Sequence, residues 1–194
     1  MLQGPLPYIL EDRTGAHTAS DFDDIYDRLF FHVATAPHTQ RAGSSAVMIY
    51  NMPRRASRHR DAQPLRHAPA AVLEFRADGA LGSVAFAQPA GTLTIPMARY
   101  LCKTSLFGRS LSRKFMCSDG REYKWVHRGG AGPQEWTCTT ADDYLVAHYD
   151  LKPADVRAYG VSGHTLTIYE AFAPLTLELL ASFIIMRHIQ LYNL

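Results

Sequence analysis

The segment Leu175–Leu194 constrains the fold more than any other part of this chain. It contains neither glycine nor proline. Pro174 stands just before it, where a first helical position tolerates the missing N–H. As a helix the segment is about 30 Å long, at 1.5 Å per residue. Around Leu179–Met186 it is apolar on nearly every side. A helix that is hydrophobic all round is buried in a core or in a membrane.

Charge decides between those two. A membrane span needs roughly 18–20 residues with few or no charges. Here Glu178 and Arg187 bracket the apolar centre, and Thr176, Ser182, His188, Gln190 and Asn193 add polar atoms. The segment is therefore read as the core helix of a soluble domain, with a tail-anchored membrane protein as an alternative. A core helix that is wet nowhere must be surrounded. A β-sheet curled around it does that and also hides strand edges.

The rest of the chain supplies strands. Val47–Tyr50, Ala71–Phe75, Val84–Phe86, Leu93–Ile95, Gln134–Thr139, Tyr144–Tyr149 and Thr165–Tyr169 are short runs rich in β-branched and aromatic residues with turn signals between them, and Arg157–Tyr159 is a further short candidate. Met97–Leu106 reads as a helical turn or a strand. Ser20–Asp23 suits the cap of a short helix through Ile25, Leu29 and Phe30, its Asp21, Asp23 and Asp24 favouring a helix N-terminus. A strand through Leu29–Ala34 fits equally well. Residues 1–21 read as a flexible N-terminal arm and residues 22–194 as a single domain. Within it, residues 53–69 carry three prolines and many arginines and read as an exposed or disordered loop.

The clearest local signal lies between Arg113 and Trp125. Two alternating runs flank Ser118-Asp119-Gly120, a hairpin pattern. A three-residue loop with Gly120 left-handed sets Phe115 opposite Tyr123 and Arg113 opposite Trp125. Phe115, Cys117, Tyr123 and Trp125 then share one face.

These residues, Phe115-Met116-Cys117-Ser118-Asp119-Gly120-Arg121-Glu122-Tyr123-Lys124-Trp125, resemble the F-x-x-x-D-G-x-x-Y-x-W signature of an uncharacterised fungal domain family grouped with the tubby C-terminal-like, scramblase and LURP-one-related barrels. Ser44–Tyr50, Ile95-Pro96-Met97 and the apolar C-terminal stretch are similar to other landmarks of that family. The resemblance implies a mostly-β fold, a closed antiparallel β-barrel of about twelve strands threaded by the C-terminal helix. It also implies phosphoinositide binding or action at membranes as functions of its better-known members, without a headgroup motif to carry onto this chain.

Composition narrows the function classes. The chain has 194 residues and a net charge of +2, too small a balance to imply nucleic acid. Its three cysteines, Cys102, Cys117 and Cys138, form no C-x-x-C pair, so they read as buried thiols of a reducing compartment, and no disulfide, metal or cofactor is expected. The N-terminus lacks a signal-peptide pattern, which makes the cytoplasm the expected location, peripheral at membranes. His127, His148 and His164 have no metal-ligand spacing, and the Asp142-Asp143 pair reads as turn residues.

The sharpest charge feature is Arg54, Arg55, Arg58, His59, Arg60, Arg66 and His67, with Lys103, Arg109, Arg113 and Lys114 as a second basic group. Arg54, Arg55, Arg58, Arg60, Arg66, Arg113 and Lys114 are accordingly the candidate residues for binding an anionic lipid headgroup or a protein partner. The bland alternative is a solvated loop with no partner. A Cys–His enzyme is the competing class; it would need a thiol of depressed pKa beside a positioned base.

Overall fold

The computed structural model describes residues 6–36, 44–55, 68–105, 110–128, 134–151 and 163–194. Its strands are β1 (Tyr8–Asp12), β2 (Ser20–Asp24), β3 (Phe30–Thr35), β4 (Ser45–Asn51), β5 (Ala71–Phe75), β6 (Leu81–Gln88) and β7 (Gly91–Pro96), then a single helical turn α1 (Met97–Tyr100), then β8 (Cys102–Lys103), β9 (Arg113–Met116), β10 (Glu122–Arg128), β11 (Gln134–Thr140), β12 (Leu145–Leu151) and β13 (His164–Ile168). A 3-10 turn, Glu170–Leu175, leads into α2 (Thr176–Tyr192).

All strands join one antiparallel sheet in the order β7-β6-β5-β4-β3-β2-β1-β13-β12-β11-β10-β9-β8. The first and last strands meet in its middle, Tyr8 opposite Ile168 and Leu10 opposite Leu166. Its two edges, β7 and β8, are consecutive in the chain and are linked by α1. The sheet is open at that point, because no ladder joins β7 to β8 among the described residues.

The helix sits where its composition demands. From Leu179 to Met186 every side chain is 0 % exposed, and Leu175, His188 and Ile189 are buried as well. Contacts come from both halves of the sheet. Phe183 packs on Trp125 of β10 and Tyr149 of β12, whereas His188 stacks on Phe75 of β5 at 3.7 Å between ring centroids. Each large apolar side chain so buried contributes about 1.5–3 kcal/mol relative to exposure. The stretch Glu170–Tyr192 is long and apolar enough to cross a membrane by length and composition; in this fold the sheet takes the place of lipid. Pro174 falls one turn earlier than the sequence suggests, inside the 3-10 turn.

The signature residues dock this helix. Phe115 faces Tyr123 and Arg113 faces Trp125, the expected register, and Gly120 has φ +74°. Asp119 accepts from the backbone N–H of Arg121 at 3.0 Å and from the Tyr123 hydroxyl at 2.6 Å. The Ser118 N–H donates to Glu178 in the first turn of α2, at 2.8 Å. The Trp125 indole N–H donates to Ser182 Oγ at 2.9 Å inside the core. The buried indole N–H of Trp125 is thereby satisfied.

Two expectations fail at the N-terminus. Part of the supposed arm is strand, since β1 is central and Leu10 and Asp12 are 0 % exposed. The segment Ser20–Asp24 is strand and not a helix cap, with Phe22 opposite both Asp12 and Phe31. The acidic residues that suggested a helix terminus instead face basic side chains: Asp21 faces His32, Asp23 pairs with Arg13 and Asp24 with Arg28. Residues 56–67 and the candidate strand Arg157–Tyr159 lie outside the described residues.

Candidate functional site

Among the described residues, the basic side chains singled out in the sequence do not gather into one patch. Arg54 is exposed. Arg55 lies over the acidic end of β2: its Nε is 2.8 Å from Asp27 Oδ1, its Nη2 donates to the Asp24 carbonyl at 2.9 Å, and its Nη1 is 3.6 Å from Glu11 Oε2. Arg113 is 2 % exposed. It donates to the backbone oxygens of Ser110, Ser112 and Leu194, the last at 2.7 Å, and burial lowers its pKa. Its neighbour Lys114 points to the other face of β9 and pairs with Glu122 at 3.1 Å. Lys103 is exposed opposite Arg113. Arg58, Arg60, Arg66 and Arg109 lie outside the described residues.

A carboxylate row, of which the sequence reading singled out only Asp23, as a cap residue, crosses the outer face of the sheet. Strand register sets Asp23, Glu11, Thr165, Asp150 and Glu135 side by side on β2, β1, β13, β12 and β11. Asp23 is 1 % exposed and Glu11 2 %. Arg13 reaches Asp23 Oδ2 at 3.2 Å and lies 3.8 Å from Glu11. Burial raises the Asp23 pKa, and the Arg13 and Arg55 charges oppose that rise. On the inner face of the same strands Asp24 takes Arg28 Nε at 2.6 Å, while Arg28 also stacks over Tyr8 and Tyr26. No local pattern could have shown this row, because its members meet only through strand register.

The densest polar group lies where α2 finishes. Asp12, 0 % exposed, accepts from the Gly15 N–H at 2.9 Å, the Tyr149 hydroxyl at 2.7 Å, Arg187 Nη1 at 3.4 Å and the Ser20 hydroxyl. Arg187 also donates to the Gly15 carbonyl. Its neighbour His188 is held between the rings of Phe75 and Tyr192 and faces the Gly79 carbonyl through Nε2 at 2.7 Å, so that nitrogen carries the proton. His17 sits 5.9 Å from His188. Burial, then the charge of Arg187, then His188 lower its pKa to about 4, which keeps it neutral near pH 7. A carboxylate already accepting from so many donors has no lone pair left for a substrate, so this constellation reads as a fastening between β1, β12 and α2.

The thiols give no support to nucleophilic chemistry. Cys117 and Cys138 are buried, and burial is the leading cause that pushes both far above the ordinary thiol range. They are protonated at any physiological pH and inert as nucleophiles. Cys102 is exposed, with its Sγ 3.3 Å from the Arg99 carbonyl. Among the described residues no group of three or more His, Cys, Asp or Glu side chains could hold a metal ion.

At the end of the sheet where α2 begins, apolar and aromatic side chains lie in the open. Turns and strand ends there expose Leu6, Tyr26, Tyr144, Leu145 and Tyr169 on the neighbouring strands β2, β1, β13 and β12. The chain leaves β4 and re-enters β5 at this same end, so the arginine-rich segment starts and finishes beside these side chains.

Compared with known proteins, residues 16–190 match the model of a family of unknown function, DUF6593, and the chain belongs to that family. No curated protein and no solved structure matches it.

Proposed function

We propose that this DUF6593 member is a non-catalytic binding module that docks on anionic lipid headgroups, a peripheral protein of the cytoplasmic membrane face. In this reading the sheet is a closed barrel of the tubby C-terminal-like, scramblase and LURP-one-related kind, threaded by α2. Closure runs through side chains at α1: the Tyr100 ring lies 5.9 Å from Phe86 of β6 and 5.7 Å from Phe115 of β9, bridging the two ends of the sheet. The docking hairpin Phe115–Trp125 adds to the likeness.

The observation that carries the functional reading is the filled axis. With Leu179–Met186 wholly buried, the middle of the barrel is packed with side chains. Recognition then falls to surfaces, and the strongest candidate is the end where α2 begins. Its tyrosines have the apolar body and polar tip that suit a bilayer interface. The exposed Arg54, together with Arg58, Arg60 and Arg66 of the segment that starts there, supplies attraction of about 1 kcal/mol per basic residue near an anionic surface. Asp27 and Asp143 at this end are paired with Arg55 and Lys124, which limits their repulsion. Arg55, Arg113 and Lys114 serve internal pairs and add little.

Vesicle co-sedimentation at low salt tests the proposal, since screening is then weakest. Vesicles containing phosphatidylserine or a phosphoinositide should pellet the protein, and neutral vesicles should not. Replacing Arg54, Arg58, Arg60 and Arg66 together by alanine should weaken binding at least a hundredfold, at about fivefold per residue. Absence of binding to anionic vesicles at low salt would sink the lipid reading.

A further inference from the structure

The sheet ends on an open edge at β7. The strand β7 is one edge of the order, and every residue from Gly91 to Thr94 is exposed, Leu93 at 44 %. Among the described residues it pairs with β6 alone, from Gln88 opposite Gly91 to Ser83 opposite Pro96. A two-residue connection, Pro89-Ala90, makes Gln88 and Gly91 a hydrogen-bonded pair. Alternation then turns the N–H and C=O groups of Gly91, Leu93 and Ile95 toward β6 and those of Thr92 and Thr94 outward. Edge strands are normally guarded by lysines, bulges or inward-pointing charges. The run Gly91-Thr92-Leu93-Thr94-Ile95-Pro96-Met97-Ala98 carries no charge at all, and its proline stands at the far end.

We propose that the edge of β7 pairs antiparallel with β7 of a second copy of this chain, about a two-fold axis at Leu93. This inference is independent of the lipid reading. In that register Thr92 of each copy exchanges both main-chain hydrogen bonds with Thr94 of the other, and Leu93 meets Leu93. Every outward N–H and C=O between Thr92 and Thr94 is then paired. Moving the axis to Thr94 would set Thr92 opposite Pro96, which has no N–H to give, so the Leu93 register is the one that satisfies the edge. Threonine pairs across strands are favourable, and no like charges face each other. The nearest charge beyond the strand, Arg99, lies at opposite ends of the two paired strands. The contact is isologous, as closed dimers require.

A proline at position 94 separates main-chain pairing from every other cause of association. Thr94→Pro removes only an outward N–H and leaves the hydrogen bonds to β6 intact. Thr94→Val keeps that N–H. Sedimentation velocity over a wide concentration range should show wild type and Thr94→Val moving from monomer toward twice the monomer mass, and Thr94→Pro staying monomeric. The near-UV signal of the buried Trp125 and Trp136 reports whether the variant has folded; if it has not, Thr92→Pro takes its place. As a measurement on the unmodified protein, amide exchange at Thr92 and Thr94 should slow as concentration rises. A wild type that stays monomeric at every concentration, a proline variant that associates like wild type, or exchange at these two amides that ignores concentration would each overturn the proposal.

Discussion

A buried carboxylate persists only where donors replace its water, and Asp12, Glu11, Asp23 and Asp24 each have arginine close by. The histidines obey the same rule from the other side. His17, His127, His148 and His188 all ionise below the ordinary value of 6.5, with burial the leading cause in each. A histidine whose folded pKa lies below its unfolded one binds fewer protons when folded. Stability is then full above the unfolded value and is lost as pH falls toward the folded one. For His17 that window runs from 6.5 down to about 4. Asp23 acts in the opposite sense, because its raised pKa means that acidification relieves its cost. Four histidines against one aspartate favour a melting temperature that drops between pH 7 and pH 5, and His17→Gln should flatten that slope. Thermal melts across the range check this; a melting temperature that rises on acidification would contradict it.

At the level of elements, legibility followed locality. The hairpin Arg113–Trp125 could be read to its register because turn chemistry and sidedness both lie within a few residues. The helix α2 could be read because an all-round apolar run has few homes. The strand β1 could not: it lies within the stretch read as a flexible arm, and what holds Glu11 and Asp12 comes in part from Arg55 and Arg187, far along the chain. The same long-range pairing removed Arg55 from the basic patch, and Arg113 was hidden by a backbone oxygen far along the chain. The β5–β6 turn shows how a tertiary contact can fix a residue type. Gly79 has φ +77°, and a Cβ there would fall 2.4 Å from the Tyr192 ring, which is stacked on His188. Gly79→Ala should therefore cost at least the left-handed penalty of about 1–2 kcal/mol, read as a shift of the urea midpoint with unchanged slope. A midpoint equal to wild type would mean that the end of α2 is looser than its packing implies.

For the whole molecule, the sheet and the helix are one folding unit. The inner faces of β5, β10 and β12 have α2 as their packing partner, and α2 has water on no side over its central turns. The proposed lipid contact lies at the rim where α2 begins, and the proposed pairing at the edge of β7. All of this rests on α2 being the axis of the domain and not an appendage. Deleting the residues after Ala181 removes Phe183–Met186, Arg187 and His188 while leaving every strand in place. The truncated chain should show neither a cooperative unfolding transition nor the near-UV signal of Trp125 and Trp136. A truncated protein that stays monodisperse and melts cooperatively would show that the sheet folds without α2, and that α2 is an appendage.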